Sequence, residues 1–480
     1  MAIVNKHENI VKSAAALGKQ KSYNEIIDFL DAHWNHEHPS EKTFALINKL
    51  DQAFKNPSKK INAIVVGGTN GKGLTIHFSS KLFQAEKITV GTFYSPHILS
   101  YNERFVINNE IISNKLFTEL ANEVINMAES HAIPVTSFDI LSMMAILYFG
   151  QSNVDVALLE MKDNSPFDPV NVCQPKVFAI TRITNEDIAP KDEKTVDYIK
   201  YILSNVKPSM HVISGDQSKL NLQLMADQVA LHNGSGEMPI RKLAPLAYPF
   251  EQMFGRSAAL AERICQIYVD AFLKDSTIIL SNSLLSKPKG QRGRPTLQRK
   301  KESLEHPQKT LEQFWKEESS SLPGRFQILD KEKPTVLLDN ASNVDALKNL
   351  LLGVRLIHYQ RPLKGLALIF ACDKNNMNNE EFLRLLRYFS KKNSGQIIFC
   401  PIESSIPGVD ETSWDVEQIT NDVKNLKIKA KSVKNFEEAF DIAKKSVDER
   451  HGLVVISGSQ SIIASYWKHK GIKKIDSAAR

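Results

Sequence analysis

A glycine-rich stretch with one lysine, VVGGTNGKGLTIHF (residues 65–78), contains the residue types that bind phosphate. Glycines let backbone N–H groups approach phosphate oxygens, and a lysine can neutralise β- and γ-phosphates. The stretch departs twice from the common pattern G-x-x-x-x-G-K-[ST], because Val66 stands at its first glycine and Gly73 follows Lys72 in place of Ser or Thr. We interpret it as a shorter phosphate loop, G-T-N-G-K-G; a glycine-rich turn without a ligand is the alternative.

The pattern around this loop predicts a strand before it and a helix after it. The apolar run INAIVVGG (61–68) enters the loop, and an apolar-periodic segment from about Leu74 to Glu86 leaves it. Strands and helices continue to alternate as far as residue 272. The predicted strands are KITVGTFYS, DVALLEM, KVFAITRI and HVISGD, and the predicted helices lie at 114–131, 138–149 and 249–272. This alternation is typical of a doubly wound parallel α/β sheet.

A second α/β region follows a change in composition. Residues 274–321 contain a basic run, several prolines and a serine triplet, which indicate an inserted linker of low order. The strands PTVLLDN, KGLALIFACD, SGQIIFCP and GLVVISGS then alternate with helical segments. We therefore predict a phosphate-loop domain at 1–285, a basic linker at 286–320 and a smaller C-terminal α/β domain at 321–480.

Composition and charge describe a globular protein with one unusual segment. The chain has 480 residues and a net charge of +7, and the run KPKGQRGRPTLQRKK (287–301) alone holds seven basic residues and no acidic ones. No apolar run approaches the roughly 20 residues of a membrane span, and the N-terminus lacks a secretory apolar segment, so we expect no membrane association and a cytoplasmic location. The four cysteines lack metal-ligand spacing and are interpreted as reduced thiols.

Several motifs in order along the chain resemble one known family. The loop GGTNGKG is followed by YSPHILSYNERFVINNEIIS (94–113), TSFDILSMMAILYF (136–149) and LPGRFQIL (322–329). Together they resemble the folylpolyglutamate synthase/dihydrofolate synthase family of the Mur ligase superfamily. The resemblance implies a Mur-ligase-like ATP-binding P-loop domain with a parallel-sheet core and a smaller C-terminal Rossmann-like domain. It also implies an ATP- and Mg²⁺-dependent ligase that adds L-glutamate to a folate or dihydropteroate carboxylate through an acyl phosphate.

The resemblance also implies where the site residues lie. Lysine and Mg²⁺ would cancel the charge of the transferred phosphoryl group, and hydroxyl and carboxylate oxygens suit Mg²⁺. The nucleotide contacts are assigned to Gly68, Thr69, Asn70, Gly71, Lys72, Gly73, Arg325 and Asp339, the metal ligands to Ser95, Glu160 and Asp187, and the catalytic roles to Lys72, Glu160 and Asp187. Three of the motif residues have a structural alternative when taken singly. Ser95 could be a turn residue, Arg104 in NERF a surface ion-pair partner and Glu160 a strand-end carboxylate.

The chain departs from the family pattern on the metal side. The family's E-V-G-L-G-G-R-x-D-A-T-N is here EMKDNSPFDPVN (160–171), which keeps Glu160, Asp168 and Asn171. Asp187 stands where the family has a metal-binding histidine. Ile202 or Leu203 occupies the place of a lysine that the family carbamylates, and Lys200 lies nearby in sequence.

The nucleotide side differs as well. The family's D-G-A-H-N-P is here DNASNV, with Asn340 and Ser342 at the glycine and histidine, and Ser257 replaces an asparagine in SAALA. Two hypotheses remain. The first is a divergent ligase that acts without a partner subunit; the second is a catalytically impaired descendant that binds nucleotide or folate without ligation.

The basic run has two interpretations of its own. Its QRGRP core resembles an AT-hook, whose arginines enter a narrow minor groove, which would make nucleic acid a partner. A solvated basic linker is the favoured alternative, because a single short match of this kind arises easily.

Overall fold

The computed structural model describes residues 19–34, 39–184, 195–237, 243–273, 284–285, 310–318, 322–373, 380–393, 395–403 and 412–475. Two features singled out above, Asp187 and the basic run 287–301, lie outside these ranges. Within them, no helix has both the length and the apolar character needed to cross a membrane.

The first lobe is built on an eight-stranded sheet in the order β4-β3-β2-β5-β1-β6-β7-β8. Its strands are β1 (Ala63–Gly67), β2 (Val90–Phe93), β3 (Phe105–Ile107), β4 (Glu110–Ile111), β5 (Val156–Glu160), β6 (Val177–Ile180), β7 (His211–Ser214) and β8 (Ser235–Glu237). All neighbours pair in parallel except β2 with β3 and β3 with β4. The predicted α/β sheet is confirmed, with an antiparallel edge that the alternation pattern did not predict.

Helices cover both faces of this sheet. They are α1 (Tyr23–Ala32), α2 (Glu41–Ala53), α3 (Lys72–Ala85), α4 (Asn114–Ser130), α5 (Ser137–Gln151), α6 (Thr195–Leu203), α7 (Lys219–Leu231) and α8 (Phe250–Phe272). Successive residues of β1 point to opposite faces, so Ile64 and Val66 join one hydrophobic core while Val65 joins the other. The burial of both faces explains why β1 reads as a continuous apolar run.

Helix α3 follows the phosphate loop and is buried along most of its length. Its buried residues run from Gly73 to Ser80 and include Leu82 and Phe83. The helix contacts α8 on one side and strands β1, β2 and β5 on the other. This packing fixes the first turn of α3, and with it the loop, against the sheet.

The second lobe contains a six-stranded sheet in the order β13-β12-β11-β14-β10-β9. The strands are β9 (Gln327–Leu329), β10 (Thr335–Asp339), β11 (Leu366–Phe370), β12 (Gln396–Phe399), β13 (Ala430–Ser432) and β14 (Leu453–Ser457). The helices are α10 (Val344–Gln360), α11 (Glu380–Asn393), α12 (Val416–Asn425), α13 (Phe436–Ser446) and α14 (Gln460–His469), after α9 (Leu311–Glu317) in the preceding segment. Among the strands that the structure describes in this sheet, only β9 is antiparallel to its neighbour.

The prediction of low order for 274–321 is wrong for α9. Thr310 caps this helix, and its Phe314 and Trp315 are buried. Trp315 packs edge to face against Phe78 of α3, with ring centroids 5.7 Å apart. Prolines and charges dominate the composition of the whole segment, so the two aromatic residues that anchor α9 were not recognised as a core contact.

Candidate active site

The phosphate loop connects β1 to α3 as predicted, and two of its glycines are required by geometry. Gly68 has φ +115°, and a Cβ there would lie 2.2 Å from Thr181 Oγ1 and 2.9 Å from the backbone N of Arg182. Gly71 also has a left-handed φ (+90°) and forms the N-cap of α3. Residues that carry a side chain rarely adopt this backbone conformation, so a substitution at either position would strain the loop.

Lys72 is the first residue of α3 and lines the cleft between the lobes. Its Nζ donates to the carbonyl oxygens of Gly68 at 2.7 Å and Thr69 at 3.4 Å. The lysine therefore curls over the loop that it belongs to. This arrangement keeps a positive charge within the turn where a phosphate would be cradled, beside first-turn N–H groups that have no partner within the helix.

Strand register brings Glu160 to the phosphate loop. Val66 of β1 pairs with Glu160 at the carboxyl end of β5. Oxygen Oε2 of Glu160 accepts a hydrogen bond from the backbone N–H of Ser95 at 3.1 Å, and it would lie 3.5 Å from a Cβ at Gly73. Ser95 and Glu160, assigned from separate motifs, are thus joined directly.

Arg104 is fully buried, so its interpretation as a surface ion-pair partner is wrong. Its Nη1 donates to Ser95 Oγ at 3.1 Å, and its Nε donates to His97 Nδ1 at 3.1 Å. Burial lowers the pKa of Arg104 to about 10, although the charge of Glu160 opposes this change. The guanidinium therefore positions the hydroxyl of Ser95 from behind.

The charges of three basic side chains oppose the effect of burial on the pKa of Glu160. Burial raises the pKa of Glu160, while Lys72, the Ser95 N–H, Arg325 and Arg104 all act to lower it. Positive groups in a site of low dielectric interact strongly with any anion that enters it. The site is therefore suited to a polyanionic ligand.

The second lobe contributes Arg325 and Asp339 to the same cleft. Arg325 Nη1 donates to Gln460 Oε1 at 3.3 Å, and Asn340 Nδ2 donates to the same oxygen at 2.8 Å. Asp339 accepts from the backbone N–H groups of Phe326 at 2.7 Å and Ala341 at 2.9 Å. Burial raises the pKa of Asp339 to about 6, against the opposing effects of Arg325 and the two N–H groups.

The cleft between the lobes has a volume of about 910 Å³. Its lining includes Thr69, Asn70, Gly71, Lys72, Gly73, Ser95, Glu160, Arg325 and Asp339. Gly68, the remaining assigned residue of the loop, is buried beneath it. The structure therefore brings the assigned residues within its described ranges to one place, whereas Asp187 lies outside those ranges.

Residues without a sequence signal also shape the cleft. Asn164 Oδ1 accepts from the backbone N–H of Gly68 at 2.7 Å, and Arg182 reaches across the cleft to Asp345.

Ser257 and Ser342, at two of the departures from the family pattern, lie in the cleft lining. Asp168 and Asn171 instead hydrogen-bond to the backbone of residues 162–170 and keep that wall in place.

Two of the three residues assigned as metal ligands, Ser95 and Glu160, line the cleft. Within the ranges that the structure describes, no three His, Cys, Asp or Glu side chains gather as metal ligands. Ile202 and Leu203 are buried in the core, and Lys200 lies on the exposed side of α6 beside Asp197. Mg²⁺ usually binds through one or two carboxylates plus phosphate and water oxygens, so Ser95 and Glu160 fit this ion as a partial set.

Known proteins resemble this chain in sequence over part of its length. Residues 324–460 match the family described as Mur ligase, glutamate ligase domain. The chain is 38% identical over 146 residues to the dihydrofolate synthase/folylpolyglutamate synthase of Bacillus subtilis, which covers 29% of this chain and 34% of that protein. It is 26% identical over 398 residues to the mitochondrial folylpolyglutamate synthase of Bos taurus, covering 76% of this chain and 63% of the relative.

Solved structures share the whole fold. The folylpolyglutamate synthase of Mycobacterium tuberculosis complexed with ADP and AMPPCP superposes with a TM-score of 0.72 at 17% identity, covering 95% of this chain and 99% of the other. The bifunctional folylpolyglutamate synthase/dihydrofolate synthase of Yersinia pestis, complexed with AMPPNP and a Mn ion, has a TM-score of 0.70 at 19% identity, covering 94% and 98%. At these identities the likeness concerns the fold.

A phosphate-loop lobe that faces a glutamate-ligase lobe across one cleft defines a Mur ligase type of protein. Over the matched stretches the chain is similar to the folylpolyglutamate synthase family of that superfamily. The matched stretches span 34% and 40% of the length of two of its curated relatives.

Proposed function

We propose that this protein is an ATP-dependent ligase that joins L-glutamate to the carboxylate of a folate or dihydropteroate. One observation carries the proposal: Lys72, Glu160 and Arg325, from three separate elements and both lobes, line a single cleft beside a glycine-rich loop. A chain that merely preserved the fold would not need cations and a buried carboxylate at this point. Because one chain supplies both walls, we propose that a monomer suffices.

The residues that line the cleft have separate roles in the proposed reaction. The carboxylate oxygen of the acceptor attacks the γ-phosphorus of ATP, ADP leaves, and the amine of glutamate then displaces phosphate from the acyl phosphate and loses a proton. Lys72 and the backbone N–H groups of residues 70–73 would bind the transferring phosphates, and Arg325 would hold the nucleotide from the second lobe. Ser95 and Glu160 would hold Mg²⁺, which supplies charge neutralisation when bound.

The second hypothesis is a descendant that binds nucleotide or folate without ligation. Burial of Ile202 and Leu203 in the core favours it, because that position offers no ligand for a second metal ion. The buried N–H of Gly68 favours it as well, since Asn164 already occupies that donor. The two hypotheses differ in chemistry and share the nucleotide site.

An ADP-release assay separates them. The purified protein is incubated with Mg²⁺, ATP and glutamate, and with dihydropteroate or tetrahydrofolate as acceptor. The ligase hypothesis predicts ADP release that needs both glutamate and an acceptor, with a product heavier by one glutamate residue. Binding of ATP without acceptor-dependent ADP release would support the second hypothesis instead.

A further inference from the structure

A charged contact spans the cleft next to the phosphate loop. Arg182 Nη1, from the first lobe, donates to Asp345 Oδ1 of the second lobe at 2.6 Å. Both residues line the cleft, and the arginine side chain is 55% exposed. An exposed ion pair of this kind contributes little to stability, so its position calls for another explanation.

The backbone of Arg182 is tied to the phosphate loop. Its carbonyl oxygen accepts a hydrogen bond from the N–H of Thr69 at 2.7 Å, and its N and O atoms would each lie 2.9 Å from a Cβ at Gly68. The guanidinium therefore starts from a point in direct contact with the turn that would cradle phosphate. A planar guanidinium can bind two phosphate oxygens at once, which suits it to this place.

Asp345 approaches the same loop from the opposite lobe. It lies in the first turn of α10, which Asn343 caps through the N–H of Ala346. Its Oδ2 accepts from Asn70 Nδ2 at 3.1 Å, and Asn70 also exchanges two hydrogen bonds of 3.0 Å with Asn343. One carboxylate thus takes up donors from both the loop and Arg182, as an anionic ligand on the loop would.

We propose that Arg182 is a phosphate-binding residue and that Asp345 holds its guanidinium until a nucleotide arrives. The inference rests on the proposed function, because it assumes that the loop binds a nucleoside triphosphate. A bound triphosphate brings several negative charges close to Asp345, and like charges repel. Arg182 then exchanges its carboxylate partner for phosphate oxygens, while the hydrogen bonds between Asn70 and Asn343 still join the loop to the second lobe.

Equilibrium binding tests the proposal without requiring turnover. A non-hydrolysable ATP analogue with Mg²⁺ is titrated by calorimetry into the wild-type protein and into Arg182→Gln, Arg182→Lys, Asp345→Asn and the Arg182→Gln/Asp345→Asn double variant. Arg361→Gln is the matched control, because Arg361 forms a comparable ion pair with Asp330 (3.1 Å) on the surface of the second lobe. Thermal melting of each variant checks that it is folded.

The two partners should change affinity in opposite directions. Arg182→Gln should weaken binding about tenfold through loss of a charge-assisted bond, and Arg182→Lys should restore part of it. Asp345→Asn, which keeps its shape and an oxygen acceptor, should tighten binding about threefold or more by removing a competing charge. The double variant should bind no better than Arg182→Gln, and the control should stay within about twofold of wild type.

Two outcomes would overturn the inference and leave the proposed function standing. If both single variants weaken binding equally, the pair is only a bridge between the lobes; if neither changes it, Arg182 does not touch the nucleotide. If the wild-type protein fails to bind the analogue at all, the nucleotide site itself is wrong, and the proposed function and this inference both fail.

Discussion

Asn164 accepts a hydrogen bond from the backbone N–H of Gly68 at 2.7 Å, which ties the wall of the cleft to the phosphate loop. Asn164 lies in the segment EMKDNSPFDPVN, where the family pattern has glycines. A segment that departs from the family at its glycines has thus gained a side chain that supports the loop. The departure changes how the loop is held and leaves Lys72 and Glu160 in the cleft.

Two substitutions of Asn164 should distinguish its effect on the stability of the loop from its effect on nucleotide binding. Asn164→Ala leaves the buried N–H of Gly68 without its acceptor and should lower the free energy of unfolding by about 1–3 kcal/mol, measured by urea denaturation. Asn164→Asp keeps an acceptor and should preserve stability, but its negative charge should weaken binding of an ATP analogue about tenfold. An Asn164→Ala protein as stable as wild type would show that the loop does not depend on this bond.

Alanine at two positions of the loop should have contrasting effects. At Gly68 a Cβ would meet Thr181 Oγ1 at 2.2 Å in a left-handed backbone, so Gly68→Ala should cost about 2–4 kcal/mol of unfolding free energy. At Gly73 the nearest atom is Glu160 Oε2 at 3.5 Å, an ordinary contact, so Gly73→Ala should stay within about 1 kcal/mol of wild type. Chemical denaturation of both variants makes the comparison, and equal losses would contradict the loop geometry described here.

Local pattern was sufficient for the elements around the loop. The apolar run into Gly67 and the periodic segment after Lys72 predicted β1 and α3, and the helix predicted at 114–131 is Asn114–Ser130. Two or three residues carry no measurable alternation, so the sequence analysis missed the short strands β3, β4, β8, β9 and β13. Period and turn chemistry report on neighbours in sequence, and these strands are defined by their partners.

The parts of the site that depend on distant contacts could not be predicted. Arg182 and Asp345 are separated by 163 residues, and each looks like an ordinary surface charge in its own segment. Their pairing depends on how the two lobes meet, which no local pattern encodes. Ser95 and Glu160 lie together in the structure, and only the family resemblance predicted this, because their separation in sequence gives no local signal.

Lys72 should be indispensable for turnover. Lys72→Ala removes the charge that would meet the transferring phosphates and should lower acceptor-dependent ADP release by about a hundredfold or more. Lys81→Ala is the matched control, because Lys81 lies on the same helix, pairs with Glu318 at 3.8 Å and is absent from the cleft lining. Its rate should remain within about twofold of wild type, as is usual for a peripheral ion pair. Comparable activity of the Lys72→Ala protein would remove the lysine from the proposed mechanism.

Asp339 should make stability depend on pH in a predictable direction. Burial raises its pKa to about 6, whereas the carboxyl of an unfolded chain titrates near its ordinary value of about 4. Between these pH values the native state binds a proton that the unfolded state has released, so this group makes the protein less stable as pH rises from about 4 to about 6.

The variant Asp339→Asn tests this dependence, because it abolishes the titration. The difference in unfolding free energy, variant minus wild type, should therefore increase with pH by up to about 1.4 kcal/mol per unit across this window and then level off. Asparagine has one acceptor oxygen where aspartate has two, so the variant loses the hydrogen bond from the N–H of either Phe326 or Ala341. That loss shifts the unfolding free energy by a constant amount and leaves the slope with pH unchanged. Urea unfolding of both proteins at intervals from pH 4.5 to 7.5 measures it, and a flat or falling difference would mean that Asp339 is ionised throughout the window in the folded protein.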